Sequence, residues 1–199
     1  MRTRSVRRSI AVAALCLAGA ANAVDVVSAI GDQDGFGIGV TDGAGFDFEA
    51  IGAGDGDGTD VWHDGNLTFT LDYALPGAVT AAGIELFSGG FGLDAAPQLY
   101  LNGTFVGTLT DGDDAGPLYN YAFKDVIDLT PFASLLSGHD VFEIRLAAGD
   151  DDGGVLDYAK LTVSGEAVAV VPEPATNALL AAGLLALAAL QRRARRSSS

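Results

Sequence analysis

Clusters of glycine and aspartate divide the middle of this chain into apolar segments of strand length. Residues 24–166 contain 25 glycines and 21 aspartates, nearly a third of that segment. Most of them stand in six clusters, at 31–34, 42–45, 52–60, 89–94, 111–116 and 149–154. Because glycine and aspartate suit the backbone conformations of turns, this spacing predicts an all-β domain with long loops.

The strands themselves follow from the alternation of apolar and polar residues. Leu67, Phe69, Leu71 and Tyr73 alternate with polar residues, which is the period of a half-buried strand. Further strands are predicted at 84–87, 99–101, 104–106, 119–129, 141–146 and 155–163, with a hairpin turn at Asn102-Gly103 and a brief helical turn at Thr130-Pro131. Seven or eight short strands favour a single β-sandwich of the jelly-roll kind.

The amino-terminal segment has the layout of a secretory signal peptide. Four arginines lie within residues 1–8, an apolar run follows at 10–18, and Ala21 and Ala23 form a small-x-small cleavage site. We therefore expect signal peptidase to remove residues 1–23, so that the mature chain begins near Val24. The single cysteine, Cys16, lies in this leader, and the mature chain is expected to lack disulfides.

The carboxyl-terminal segment combines three features in order. Pro172, Glu173 and Pro174 keep the chain extended, and an apolar run at 175–190 follows them. As a helix this run would be about 24 Å long, a marginal span of the inner membrane. Basic residues beside a span stay on the cytoplasmic side, so the orientation is expected to be set by Arg192, Arg193, Arg195 and Arg196.

These three parts resemble the PEP-CTERM sorting signal, also catalogued as the ice-binding protein C-terminal domain. The resemblance implies a Gram-negative bacterium and a membrane protease-transpeptidase, exosortase, that cleaves near Pro172-Glu173-Pro174. It further implies delivery to the cell surface or to the exopolysaccharide matrix of a biofilm. The expected organisation is a signal peptide (1–23), a β-sandwich domain (24–166), and a linker with the sorting signal and its transmembrane helix (167–199).

The charge of the predicted domain restricts its partners. Residues 24–166 hold only three basic residues against 25 acidic ones, which leaves a formal net charge of −22. Such a domain repels nucleic acid and anionic membrane surfaces. It is suited to binding cations or to staying soluble among extracellular polymers.

Calcium is the predicted cofactor, at two aspartate-rich loops. Asp55, Asp57 and Asp60 lie within six residues of one flexible loop, and Asp32 and Asp34 alternate in another, so both loops offer the oxygen ligands that a hard cation prefers. Neither loop matches an EF-hand in detail. The alternative is that these residues only form turns, for which aspartate and glycine are the usual choice.

A second, shorter resemblance concerns residues 127–146. Their order of strand, helical turn, glycine and strand is similar to galactose-binding-like modules. That group often binds sugar through loops at one end of the sandwich, and often holds a calcium ion between the beginning of the chain and its last strand. The resemblance makes Asp157 a counterpart of the late acidic ligand.

Catalytic motifs are poorly represented. The two histidines, His63 and His139, each stand beside an aspartate in a predicted turn, and the sequence has no Gly-x-Ser-x-Gly or His-Glu-x-x-His motif. Most tyrosines are expected in the core, which leaves Trp62 as the best candidate for stacking against a sugar ring. We therefore expect a non-catalytic domain that binds polysaccharide and calcium, with a secreted glycan-active hydrolase as the alternative.

Overall fold

The computed structural model describes residues 23–52, 54–75, 77–92, 95–113, 120–148 and 153–166, together with residue 183. The described residues form two antiparallel sheets that pack on each other as a β-sandwich, which confirms the predicted fold class. The strands are β1 (Ala23–Gly31), β2 (Gly45–Phe46), β3 (His63–Asp64), β4 (Leu67–Asp72), β5 (Val79–Gly89), β6 (Gln98–Leu101), β7 (Thr104–Thr108), β8 (Asn120–Asp128), β9 (His139–Arg145) and β10 (Gly153–Glu166).

The larger sheet has the order β1-β10-β5-β8-β2, and β3 pairs with the first residues of β10. The smaller sheet has the order β4-β9-β6-β7. Non-consecutive strands are therefore neighbours in both sheets. In particular, β10 lies between β1 and β5, so the end of the described domain pairs with its beginning.

The main core lies between the two sheets. In β4, residues alternate strictly between buried and exposed, as its sequence predicts. Facing it are the even-numbered residues of β5, among which Ile84 and Leu86 are fully buried. Phe69 of β4 stacks on Phe142 of β9, with ring centroids 5.4 Å apart.

A second, smaller core covers the opposite face of the larger sheet at one end. Phe87 of β5 belongs to it and has the parity opposite to the main-core residues of that strand. Tyr158 of β10 belongs to it as well, after a bulge that separates it from Leu156 of the main core. The ring of Phe36 packs on Phe46 and stacks on Phe87, with centroids 4.9 Å and 5.3 Å away. The glycine-rich loops after β1 thus form a hydrophobic layer of their own, which the sequence interpretation did not anticipate.

Most predicted elements are present with shifted ends. The hairpin turn at Asn102 and Gly103 has φ angles of 49° and 80°, the left-handed values that such a two-residue turn requires. The predicted helical turn spans Thr130–Leu135 and is followed by Gly138 at φ 89°. Strand β1 was not predicted, because the strand pattern becomes clear only after Trp62.

The predicted leader and the predicted sorting segment lie outside the described residues, apart from Ala23, which begins β1, and residue 183. In the part of the chain that the structure describes, no helix is long and apolar enough to cross a membrane. The predicted span at 175–190 therefore stays a prediction.

Candidate metal site

Four aspartates from three separate chain segments meet at one end of the sandwich. Asp32 and Asp34 follow β1, Asp60 lies in the loop before β3, and Asp157 is in β10. One carboxylate oxygen from each of the four lies within 4.8 Å of those of the others. Two oxygens bound to the same calcium ion are at most about 5 Å apart, so this spacing fits a shared cation.

The chain reaches Asp32 and Asp34 through a tight turn at the end of β1. Gly31 pairs with Tyr158 and has φ 74°, and a side chain at this position would collide with the carbonyl oxygen of Asp157. The Asp34 carboxylate then accepts a hydrogen bond from the Gly37 amide at 2.6 Å. Glycine at position 31 thus lets the turn pass directly over β10.

The Asp157 side chain binds the backbone of the same loop after β1. Its Oδ1 accepts hydrogen bonds from the backbone amides of Gly35 and Phe36, at 3.0 Å and 3.1 Å, and the residue is buried. Burial raises the pKa of Asp157, against the lowering effect of these two hydrogen bonds. The carboxylate therefore has a structural task in addition to any ligand role.

Asp60 differs from the other three, because its carboxylate has no hydrogen-bond partner among the residues that the structure describes. The residue is 1% exposed, and neither oxygen accepts a hydrogen bond from any described residue. Its backbone amide donates to the carbonyl of Leu156, which places the side chain beside Asp157. Burial, followed by the negative charges of Asp157 and Asp34, raises the pKa of Asp60 to about 7.

The other two predicted ligands lie outside this group of four. Asp57 binds its own loop: its Oδ1 accepts from the amide and hydroxyl of Thr59, and its Oδ2 accepts from the amide of Gly31. These bonds, led by that of the Thr59 hydroxyl, lower the pKa of Asp57. Asp55 is exposed, and the turn interpretation suits both residues better than the ligand interpretation.

Trp62 is half-buried and packs against the second core. The exposed aromatic residue beside it is Phe48, which is 50% exposed and has its ring centroid 5.3 Å from that of Trp62. The sequence interpretation missed Phe48. Its position among the polar residues of a glycine-aspartate loop was the available signal.

The other buried aspartate near a loop, Asp140, has a complete set of partners. Its Oδ2 accepts from the Tyr73 hydroxyl, and its Oδ1 accepts from the Asn102 side chain and from the amide and hydroxyl of Ser137. Burial acts to raise the pKa of Asp140, but these hydrogen bonds outweigh it and hold the pKa below its ordinary value. This network fastens the hairpin of β6 and β7 to the start of β9.

The fold and this site define an acidic β-sandwich domain with a carboxylate cluster of the composition that hard cations prefer. Residues 170–196 match the family model of the PEP-CTERM protein-sorting motif, and the chain carries this motif. The predicted sorting signal is thereby confirmed. The motif implies a protein that is exported across the membrane, processed by exosortase and sorted to the cell surface.

Comparison with solved structures gives only distant similarities. The chain is similar to BuGH86 in complex with neoagarooctaose, at 15% identity and TM-score 0.36, over 73% of this chain and 19% of that one. It is also similar to BpGH86A, a β-porphyranase of glycoside hydrolase family 86 from the human gut bacterium Bacteroides plebeius, at 18% identity and TM-score 0.36, over 53% and 18%. The chain thus spans about a fifth of their length, and similarity at this level carries no argument on activity. No curated protein matches the sequence.

Proposed function

We propose that residues 24–166 form a non-catalytic binding domain at the bacterial surface, which holds a calcium ion at the four-aspartate cluster and binds extracellular polysaccharide. The observation that carries the calcium proposal is Asp60. A buried carboxylate without a hydrogen-bond partner is costly, and native proteins compensate it with a partner or with a metal.

The chemistry of the cluster favours calcium over other cations. All four side chains offer carboxylate oxygens, whereas zinc and copper sites prefer nitrogen or sulfur ligands. Magnesium demands a small octahedral shell and usually keeps several of its waters. Two exposed and two buried aspartates leave room for a larger, irregular shell, with Asp32 and Asp34 open to water.

The cation also has a mechanical consequence for the loops. It would connect the turn after β1, the loop before β3 and strand β10, which otherwise have like charges facing one another. Trp62 follows Asp60 by two residues and supports the exposed ring of Phe48. A bound ion would therefore fix this aromatic pair, and an exposed aromatic ring on an ordered loop suits stacking against a sugar.

Thermal unfolding of the purified protein tests the calcium proposal. If extracellular calcium sites with a Kd of about 10⁻⁴ M are a guide, 10 mM calcium should stabilise by about 2.7 kcal/mol and raise Tm by roughly 5 to 15 °C relative to chelator. The substitution Asp60→Asn should abolish this rise, while Asp55→Asn, which alters an exposed neighbour, should keep it. No calcium-dependent rise in the wild-type protein would overturn the proposal.

Binding assays test the polysaccharide proposal. The purified protein should be retained by at least one polysaccharide of a panel, and less so in chelator. The assay should also measure reducing ends over time. Release of reducing sugar would contradict the proposal of a non-catalytic binding domain and favour the alternative, a glycan-active hydrolase.

A further inference from the structure

The outer face of the smaller sheet carries a group of aromatic and planar polar side chains. We call it the Tyr100 face, and it consists of Gln98, Tyr100, Phe105, Glu143 and Arg145. In the register of the sheet, Tyr100 lies between Glu143 on β9 and Phe105 on β7, and Gln98 is opposite Arg145. The five side chains thus occupy neighbouring positions on three adjacent strands.

The aromatic part of this face is exposed and ordered. Phe105 is 46% exposed although it lies within a regular strand. Its ring meets that of Tyr100 edge to face, with centroids 5.8 Å apart. Two adjacent aromatic rings that are held on strands and open to solvent offer an apolar surface of the kind that binding sites use.

The polar part is fixed by contacts within the face. The guanidinium carbon of Arg145 lies 3.8 Å from the centroid of the Tyr100 ring, and its Nη2 donates to Glu143 at 2.7 Å. The Tyr100 hydroxyl donates to Gln98 at 2.9 Å. Because the strands and their mutual contacts already hold these side chains, ligand binding would cost little of their conformational entropy.

The outer face of the smaller sheet is less acidic than the domain as a whole. The outward positions of the smaller sheet carry two acidic side chains, Asp72 and Glu143, and each is paired, with His139 and Arg145 respectively. The domain as a whole has three basic residues against 25 acidic ones. A polyanion would be repelled by the surroundings of the Tyr100 face, whereas an uncharged polymer would not.

We propose that the Tyr100 face binds an uncharged polysaccharide. Phe105 offers an aromatic surface to the C–H groups of a sugar ring. Arg145 supplies N–H donors to hydroxyl groups, and Glu143 and Gln98 supply acceptors, which is the pairing of apolar and planar polar groups that orients a ligand. The inference rests on the proposed function, that the domain binds polysaccharide, and adds a second contact surface to the Phe48–Trp62 loops.

Affinity electrophoresis with the purified protein tests the proposal. The probes are agarose, xyloglucan and dextran as uncharged polymers, and alginate and dextran sulfate as polyanions. We expect retardation by an uncharged polymer. Phe105→Leu, which keeps apolar bulk but lacks the aromatic face, should weaken it about five- to tenfold, in the range of one aromatic contact. Arg145→Lys keeps the charge, loses the planar fork, and should weaken it at least threefold.

Two control variants locate the effect. Val126→Ala alters an exposed apolar residue of β8 in the larger sheet and should leave retardation unchanged. Phe48→Leu alters the exposed aromatic residue of the loops. If Phe48→Leu abolishes retardation and Phe105→Leu does not, the Tyr100 face is not the contact surface and the proposal is overturned. Thermal unfolding of every variant verifies that it is folded.

The remaining outcomes separate the two proposals. If no polymer retards the wild-type protein, both fail. If Phe105→Leu is retarded as strongly as the wild type, the proposal for the Tyr100 face fails and the proposed function stands. Stronger retardation by alginate or dextran sulfate would overturn the choice of an uncharged ligand. A dimer in sedimentation velocity that Phe105→Leu dissociates would assign this face to a second copy of the chain instead.

Discussion

Asp60 and Asp140 are two buried aspartates of the same sandwich with opposite surroundings. Asp140 accepts hydrogen bonds from three residues of its own fold, and its pKa is held below the ordinary value. Asp60 accepts none from the described residues and faces three further carboxylates, and its pKa is raised to about 7. Burial alone therefore does not decide whether a carboxylate stabilises a fold; the supply of donors does.

The comparison separates two ways of compensating a buried charge. The network around Asp140 is complete within the protein, so it works wherever the chain folds. The Asp60 carboxylate has no donor among the described residues, and we propose that a proton or a cation from outside compensates it. This difference predicts different responses to pH, to calcium and to substitution.

The largest expected effect is the pH dependence of the calcium-free protein. Since the pKa of Asp60 is about 7 in the folded state and about 4 when unfolded, the folded state holds an extra proton between these values. Its stabilising effect is complete below about pH 4 and is lost as the pH rises through about 7. The unfolding free energy in chelator should therefore fall by up to about 4 kcal/mol from pH 4 to pH 8.

Urea denaturation across this range measures the effect. Saturating calcium should remove the fall, because the cation takes the place of the proton. Asp60→Asn should remove it without calcium, because the amide does not titrate and can donate to neighbouring carboxylates. A wild-type profile in chelator identical to that of Asp60→Asn would mean that Asp60 does not titrate in this range.

A smaller but still large effect is expected for Asp140. Asp140→Ala removes the carboxylate that accepts from the Tyr73 hydroxyl, the Asn102 side chain and the Ser137 backbone amide. It should lower the free energy of unfolding by about 3 kcal/mol. The rise in Tm on adding calcium should remain, because none of these residues belongs to the four-aspartate cluster. The measurement is chemical denaturation with and without calcium.

Asp128→Ala is the matched control, since Asp128 is exposed and accepts from the Thr130 amide. Its cost should be about 1 kcal/mol or less. If Asp140→Ala costs no more than this control, the network does not carry the stability that its hydrogen bonds indicate.

The sequence predicts the sandwich well and the cluster only in part, for identifiable reasons. Alternation of apolar and polar residues reveals a strand such as β4, because one face of the strand packs on the core and the other faces water. It fails at Phe36, which is fully buried although it stands among glycines at φ 60°. No local pattern records that this loop folds over β10, because the contact joins residues more than 120 positions apart.

The same limit applies to the choice among aspartates. Asp55, Asp57 and Asp60 lie within six residues of one loop, and all three are candidates for the same reason. Only Asp60 turns inward, since its amide donates to Leu156 of the distant strand β10. Spacing along a loop indicates that carboxylates are available, whereas tertiary contacts decide which of them converge.

The smallest expected effect tests this selection at Asp57. Asp57→Asn keeps an acceptor for Thr59 and loses the bond to the Gly31 amide, so it should destabilise by about 1 kcal/mol. The calcium-induced rise in Tm should stay, in contrast to Asp60→Asn. Thr59→Val, which removes the hydroxyl partner of Asp57, is the matched control and should behave in the same way. If Asp57→Asn abolishes the calcium response while Thr59→Val retains it, Asp57 is a ligand, and the cation is held by the loop as well as by the four converging carboxylates.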